Sequence, residues 1–462
     1  MSKVSVAPWL GRPVVKIGWL TDRPVTVSAA PCRVLLPILL PPTPRSSHMR
    51  PVRIRRLAPV LLAAGLLVGP LVPASAQAAQ LAQASQVAAP TDFYQPPSPL
   101  PAGPPGALIR SQPANVFLGL FAPAATATTV LYHSRTTTGA DHAVTGTVLQ
   151  PRTAWTGPGA RPVVSFAVGT QGLAQSCAPS KQLAAGTEYG TSNLALLLAR
   201  GWAVTVTDYE GYTTGGTPTY VTGRSEAHAV LDIVRAAAQL PGADITPASP
   251  LTLWGYSQGG GAAAWATVVQ PDYAPELRLL GTAAGGIPAD ALAVNNNLNA
   301  NIGAAFLIYG AIGFAQAYPD RFPLYEHLND AGQAAIAAAK TQCTGQSLVT
   351  YAGTDLSRYF KPGTTAASFN AIPSVAQVLR ENSLTQTAKE PRVPVWQYHG
   401  GFDQILPLAQ ARALHQQWCA DGVPTELHLF PGEHLTSNSQ AALFAVNFLA
   451  QRFAGASYSA AC

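Results

Sequence analysis

The stretch Leu251-Thr252-Leu253-Trp254-Gly255-Tyr256-Ser257-Gln258-Gly259-Gly260-Gly261 sets a serine among small residues, after a short apolar run and before an Ala-rich run over 262–269. The first run suits a buried strand and the second a helix, which is the context of a G-x-S-x-G turn that exposes a nucleophilic serine. Such a turn tolerates only small neighbours, hence Gly255 and Gly259 two positions to either side of Ser257. It presents the serine oxygen at the carboxyl end of the strand and aims the backbone N–H of Gln258 at the same spot, where negative charge can be received. Gly-rich turns are common in a chain with 40 glycines, so the pattern gains its weight from the flanking elements and from partners downstream.

A serine hydroxyl is a poor nucleophile until a base takes its proton, and the base must be held by an acid. On sheets with this turn the chain order is Ser, then Asp or Glu, then His, with acid and base on loops after the last strands. Here the loop 399–407 (HGGFDQILP) follows one late strand and the loop 431–435 (PGEHL) follows the next, which nominates Asp403 as acid and His434 as base. Among the nine histidines, His48 falls in the leader and His428 within a strand, so His399 is the main rival; Glu433, adjacent to His434, is the weaker acid candidate. The loop Gly169-Thr170-Gln171-Gly172 follows an early strand, and its glycines let the backbone of Thr170 or Gln171 supply a second oxyanion donor; the plainer reading is a tight turn. Asp208-Tyr209-Glu210-Gly211 ends the next strand, either lining the site or capping a helix.

These residues need a scaffold. From 162 the pattern alternates: strand 162–168, helix 193–200, strand 203–207, helix 225–240, the serine strand and its helix, then strand 277–284. Ser225 is the expected N-cap of its helix, with Ala229, Ile233 and Ala237 at helical spacing. Alternation of this kind predicts an α/β fold, a mostly parallel sheet with helices on both faces. Runs 129–134 and 143–149 flank Thr138-Gly139-Ala140 and predict an antiparallel hairpin, while 93–110 is too rich in proline for sheet or helix and should run extended. After Gly285-Gly286 the rhythm breaks. Residues 290–390 hold Asn-rich turns, an apolar run over 302–317, Ala-rich stretches and the breakers Pro319 and Pro323, which predicts an inserted helical cap over the sheet's carboxyl edge. The alternative is ordinary helices of the main layer. Strand 393–398, helix 408–421, strand 425–430 and helix 440–452 then resume the pattern, giving a core of 92–289 and 391–462.

With 462 residues and 48% apolar content, the chain can bury a large core in one domain or two. Its formal charge of +6 is concentrated at the start: residues 1–76 hold ten of the 28 basic and one of the 22 acidic groups, leaving about −3 for the rest. A nucleic-acid partner therefore loses its support. Arg50, Arg53, Arg55 and Arg56, the apolar run 57–72 and Ala74-Ser75-Ala76 form the three parts of an export signal over 49–76. Pro59, Pro70 and Pro73 interrupt a run shorter than the ~20 residues of a membrane span. Met1 and Met49 are the two methionines, so residues 1–48 read as an upstream extension of the gene call; 77–91 reads as disordered. Arg55-Arg56 leaves general and twin-arginine export both open. After the signal, Cys177, Cys343, Cys419 and Cys462 remain, an even number suited to disulfides in an oxidising compartment, with three pairings open. No C-x-x-C pair or H-E-x-x-H run calls for a metal.

Taken together, FYQPPSPLPAGPPGALIR, VGTQGLAQSCAPS, TDYEGY, GYSQGG and the HGGFDQILP and GEHL loops resemble the secretory lipase family of fungi and actinobacteria over most of residues 92–453. The resemblance implies an α/β-hydrolase core with a helical cap, a triad of Ser257, Asp403 and His434, and disulfides Cys177–Cys343 and Cys419–Cys462. Gln258 and an extra glycine in the serine motif leave the oxyanion donors open among Gln258, Thr170 and Gln171. The implied activity is secreted hydrolysis of acylglycerol or other fatty-acyl esters through an acyl-enzyme, with no cofactor and no metal, a lipid or acyl-ester substrate as partner, and transient contact with a lipid interface. Residues 302–317 then either line an acyl pocket or fill the cap's own core. Competing readings are an acyltransferase or polyester hydrolase with the same triad, and a non-catalytic cell-envelope binding protein on this scaffold.

Overall fold

The computed structural model describes residues 92–119, 122–459 and 462; the expected upstream extension, export signal and disordered segment lie outside the described residues. Among these, nine strands form one sheet in the order β1-β2-β3-β5-β4-β6-β7-β8-β9. They are β1 (Leu108–Ala114), β2 (Ala125–Arg135), β3 (Asp141–Pro151), β4 (Val163–Ala167), β5 (Ala203–Thr207), β6 (Leu251–Tyr256), β7 (Leu279–Gly285), β8 (Val395–Gly400) and β9 (Thr425–Phe430). β1, β2, β3 and β5 pair antiparallel, and every neighbouring pair from β5 through β4 to β9 is parallel. The parallel strands are covered on both faces: β4, β5, β6 and β8 are buried at every residue.

The helices are α1 (Pro179–Ala185), α2 (Thr191–Ala199), α3 (Gly223–Ala237), α4 (Gln258–Tyr273), α5 (Ala291–Leu298), α6 (Ala304–Ala317), α7 (Leu324–His327), α8 (Asp330–Ala339), α9 (Thr344–Tyr351), α10 (Ala366–Asn370), α11 (Pro373–Glu381), α12 (Leu408–Ala420) and α13 (His434–Phe453). The pairs α3 with α4 and α2 with α13 cover the sheet. Between β7 and β8 the described chain is helical from α5 to α11 and adds no strand to the sheet. That segment packs around its own apolar cluster, to which Leu173, Tyr220, Ile405 and Leu406 contribute from the sheet's loops. The described residues nevertheless form one compact unit, and the helical segment belongs to it.

Three local expectations need correction. The proline-rich entry does join the sheet, because β1 starts at Leu108 just past Gly106; Pro113 is tolerated there because β1 is the edge strand, with no second neighbour awaiting its N–H. Ser225 is not an N-cap: α3 begins two residues earlier, behind Thr222, and the Ser225 hydroxyl donates to Glu210 instead. The closing helix starts at His434, six residues before the expected 440, because Glu433 caps it by accepting the N–H groups of Leu435 and Thr436.

Candidate active site

Ser257 joins β6 to α4 at φ 60°, ψ −124°, a region costly for a residue with a Cβ. Its surroundings hold it there. The Ser257 N–H donates to Gly285 O at 3.0 Å, and its carbonyl accepts Gly261 N–H at 3.0 Å to start α4. A Cβ on Gly255 would overlap the carbonyl oxygen of Gly259, one on Gly259 that of Ala167, and one on Gly260 that of Gly285. The additional glycine of the motif thus lets α4 start flush against β7.

The loops after β8 and β9 bring the other two residues to this turn. Ser257 Oγ lies 2.9 Å from His434 Nε2, and His434 Nδ1 lies 2.7 Å from Asp403 Oδ2. The second carboxylate oxygen, Oδ1, accepts the N–H groups of Ile405 and Leu406 at 2.9 and 2.8 Å, fixing its plane. Burial pushes the Asp403 carboxyl up, but the hydrogen bond from His434 and the N–H of Leu406 outweigh it and hold the group below the usual carboxylate range. It is thus ionised opposite the imidazole. Tyr256 packs against the same ring, its own ring tilted beside it with centroids 5.1 Å apart, and donates its hydroxyl to the His434 carbonyl.

The rivals have other roles. His399 is fully buried behind Asp403, its Nε2–H donating to Leu406 O at 3.0 Å, and burial pushes its imidazole down, so it remains neutral there. Glu433 is the cap of α13, and those backbone N–H groups hold its carboxyl low. Asp208, left open between lining and capping, caps α1: it accepts Ser180 N–H at 2.7 Å, the Ser180 hydroxyl, and the Thr145 hydroxyl at 2.7 Å.

Gln258 is the first residue of α4, so its N–H has no partner within the helix, and the positive end of the helix dipole adds to it. Thr170 and Gln171 follow β4 beside the turn. Among the described residues, the backbone N–H groups of Thr170, Gln171 and Gln258 donate to no protein acceptor. The Thr170 hydroxyl pairs with Tyr220 at 2.8 Å, while Gln171 is held by its side chain, donating to Glu188 Oε1 and accepting from Gln182 at 2.6 Å. The loop is stapled to the helical segment: Leu173 N–H donates to Gln342 O, Thr344 N–H to Gln171 O, and Cys177 is bonded to Cys343. The second disulfide, Cys419–Cys462, ties the chain end to α12.

Ser257 and Gln258 open into a pocket whose walls include Val221, Leu298, Phe306, Gly310, Phe314 and Leu406. Phe306, Gly310 and Phe314 form one face of α6 at a four-residue spacing and line the pocket, while Ala305, Ile308, Tyr309 and Ile312 are buried in the helical segment's core. A second cavity shares Asn295 and Phe314 with the first. Sequence reasoning passed over Tyr220, Val221 and Asn382, which also line the pocket. No local motif marks them, because they reach the site only through packing of the α3 entry against α6 and α11.

The signature of the family described as Secretory lipase matches residues 177–460. Lipase A of Arthroderma benhamiae is 31% identical over 352 residues, covering 72% of this chain and 72% of its own. A protein of Mycobacterium tuberculosis named probable inactive lipase MT1628 is 29% identical, over 79% of this chain and 82% of its own. Among solved structures, Candida antarctica lipase A in its closed state superposes with a TM-score of 0.73 at 25% identity, covering 80% of this chain and 87% of that one. The chain therefore belongs to the secretory lipase family, with the α/β-hydrolase fold, and is an ester hydrolase of the lipase and esterase kind.

Proposed function

We propose that this protein is a secreted hydrolase of fatty-acyl esters, acylglycerols among them, working through a covalent acyl-enzyme on Ser257. The observation that carries the reading is the unbroken hydrogen-bonded chain Ser257–His434–Asp403 at the mouth of an apolar pocket. His434 Nε2 takes the Ser257 proton as Oγ attacks the ester carbonyl, and Asp403 stabilises the imidazolium that forms. The oxyanion is received by the N–H of Gln258 and one from the Thr170-Gln171 turn. His434 returns the proton to the departing alcohol, then activates a water that releases the acid and regenerates the serine. The acyl chain lies against Phe306, Gly310 and Phe314, under the helical segment acting as a cap.

Two disulfides support an oxidising, extracellular destination. Phe402 and Leu435, 77% and 70% exposed beside the acid and the base, suit transient contact with a lipid interface. The mycobacterial relative is named a probable inactive lipase, which favours one competing reading, a protein of this scaffold without turnover. Hydrolysis of an ester series from short to long acyl chains, by wild type and Ser257→Ala, tests the proposal. Wild-type turnover that falls at least about 10³-fold in Ser257→Ala is expected, whereas equal rates or no wild-type turnover refute it. Repeating the assay with added alcohol identifies an acyltransferase by its ester product.

A further inference from the structure

Gln258 follows the nucleophile, yet its side chain points inward and the residue is 5% exposed. Its Nε2 donates to Glu226 Oε1 at 2.7 Å, and the same oxygen accepts the N–H of Val221 at 2.9 Å. Glu226 lies in the first turn of α3, is 1% exposed, and among the described residues has no ion-pair partner. Burial pushes its carboxyl up to about 7, with the charge of nearby Glu210 adding to that push, against the hydrogen bonds from Gln258 and Val221. An acid buried without a cation is costly, so its two donors are what make it tolerable. Val221 is itself under constraint: a β-branched residue at φ 49° is a genuine outlier, and the bond to Glu226 is where its N–H is satisfied. Val221 and Gln258 both line the pocket, so a single carboxylate oxygen joins two of its walls. The other donor loop repeats the design, with Gln171 Nε2 held 3.2 Å from Oε1 of Glu188, which is 3% exposed.

We propose that Glu226 is a positioning residue for the reaction: by gripping the Gln258 side chain and the Val221 N–H it fixes the direction of the Gln258 backbone N–H toward the oxyanion and the set of the pocket wall beside Ser257. The inference rests on the hydrolase reading above. It touches no substrate atom. Its effect belongs in the transition state, where the oxyanion forms, and little of it in binding of the ester.

The test is steady-state kinetics on a short-chain ester, with rates expressed per site titrated by a fluorophosphonate probe, for wild type, Glu226→Ala, Glu226→Gln, Gln258→Ala and the double variant Glu226→Ala/Gln258→Ala. Misaligning one oxyanion donor should lower kcat of Glu226→Ala by about 10–100-fold, with KM within about threefold. Glu226→Gln keeps an acceptor oxygen for both N–H groups and should recover kcat to within about threefold of wild type. Gln258→Ala releases the grip from the other side, and the double variant should be no slower than Glu226→Ala, the non-additivity of groups acting as one. Per-site rates remove any loss due to unfolded protein, and Gln258→Ala carries the test if Glu226→Ala does not fold. A labelled, active wild type matched within threefold by Glu226→Ala, or effects that multiply in the double variant, overturns the proposal. A wild type that neither labels nor turns over ester overturns the hydrolase reading along with it.

Discussion

At the sheet's carboxyl edge, the side-chain hydrogen bonds that run from Ser257 through His434 to Asp403, and from the Asp403 carboxylate to the N–H groups of Ile405 and Leu406, are all 2.9 Å or shorter. From Ala291 to Pro319 the helical segment above it carries no charged residue, and it shapes the pocket with Phe306, Gly310 and Phe314. The first region works by direction: each bond is set by a backbone turn at a strand end, and an error of an ångström breaks it. The second works by volume, and its buried residues can exchange for others of similar size at modest cost. Substitutions at the edge should therefore act on all esters alike, and substitutions in the helical segment should sort esters by length.

The strongest challenge to that division is Asp403→Asn. It preserves shape but removes the charge that holds His434 in its tautomer, so kcat should fall by about 10³–10⁴-fold on short and long esters equally. A loss confined to long esters would erase the distinction. At the seam between the regions, Cys343→Ser opens a bond spanning 166 residues, and should lower unfolding free energy by about 2–5 kcal/mol in denaturant titration. Because that bond staples the Thr170-Gln171 loop, the variant should also lose turnover below its unfolding midpoint; unchanged stability and rate would mean the seam carries no load. Within the pocket, Gly310→Phe fills space beside Phe314 and should reduce kcat/KM on long-chain esters about tenfold, leaving butyrate esters within about twofold. Equal effects on both lengths would place the acyl chain elsewhere.

The smallest effect is in the pH dependence of stability. The Glu226 carboxyl rises from an ordinary 4.5 to about 7, burial being the main cause, so the native state keeps a proton that the unfolded chain has released. Stability from this group is complete below about pH 4.5 and is lost as pH rises through about 7. The fall in denaturation midpoint between pH 5 and pH 8 should be smaller in Glu226→Gln than in wild type. Glu188, also pushed up to about 7, and Asp232, pushed up to about 6, keep part of that slope in both proteins.

What could be read from the sequence follows the same division. Ser257, Asp403 and His434 stand out because strand ends, tight turns and chain order leave local traces, and the alternating pattern gives the parallel sheet. The helical segment shows itself only as a broken rhythm and an apolar run. Spacing alone leaves 302–317 open between pocket wall and cap core, because opposite faces of α6 meet different partners. The pairing of four cysteines came from resemblance, since spacing permits three. Glu226, Val221 and Tyr220 stayed hidden for a physical reason: their roles come from contacts such as Glu226 with Gln258, 32 positions away, and Thr170 with Tyr220, 50 away. Ser225 looked like a cap because cap propensity is local, whereas its actual partner, Glu210, belongs to a loop after another strand.

The most direct measurement is peptide mapping by mass spectrometry after reaction with a p-nitrophenyl alkylphosphonate, a mimic of the tetrahedral intermediate. One stoichiometric adduct is expected on Ser257, with p-nitrophenol released, and slow or absent labelling in His434→Ala. A native protein that stays unlabelled at Ser257, or one that takes the adduct on another residue, would contradict it.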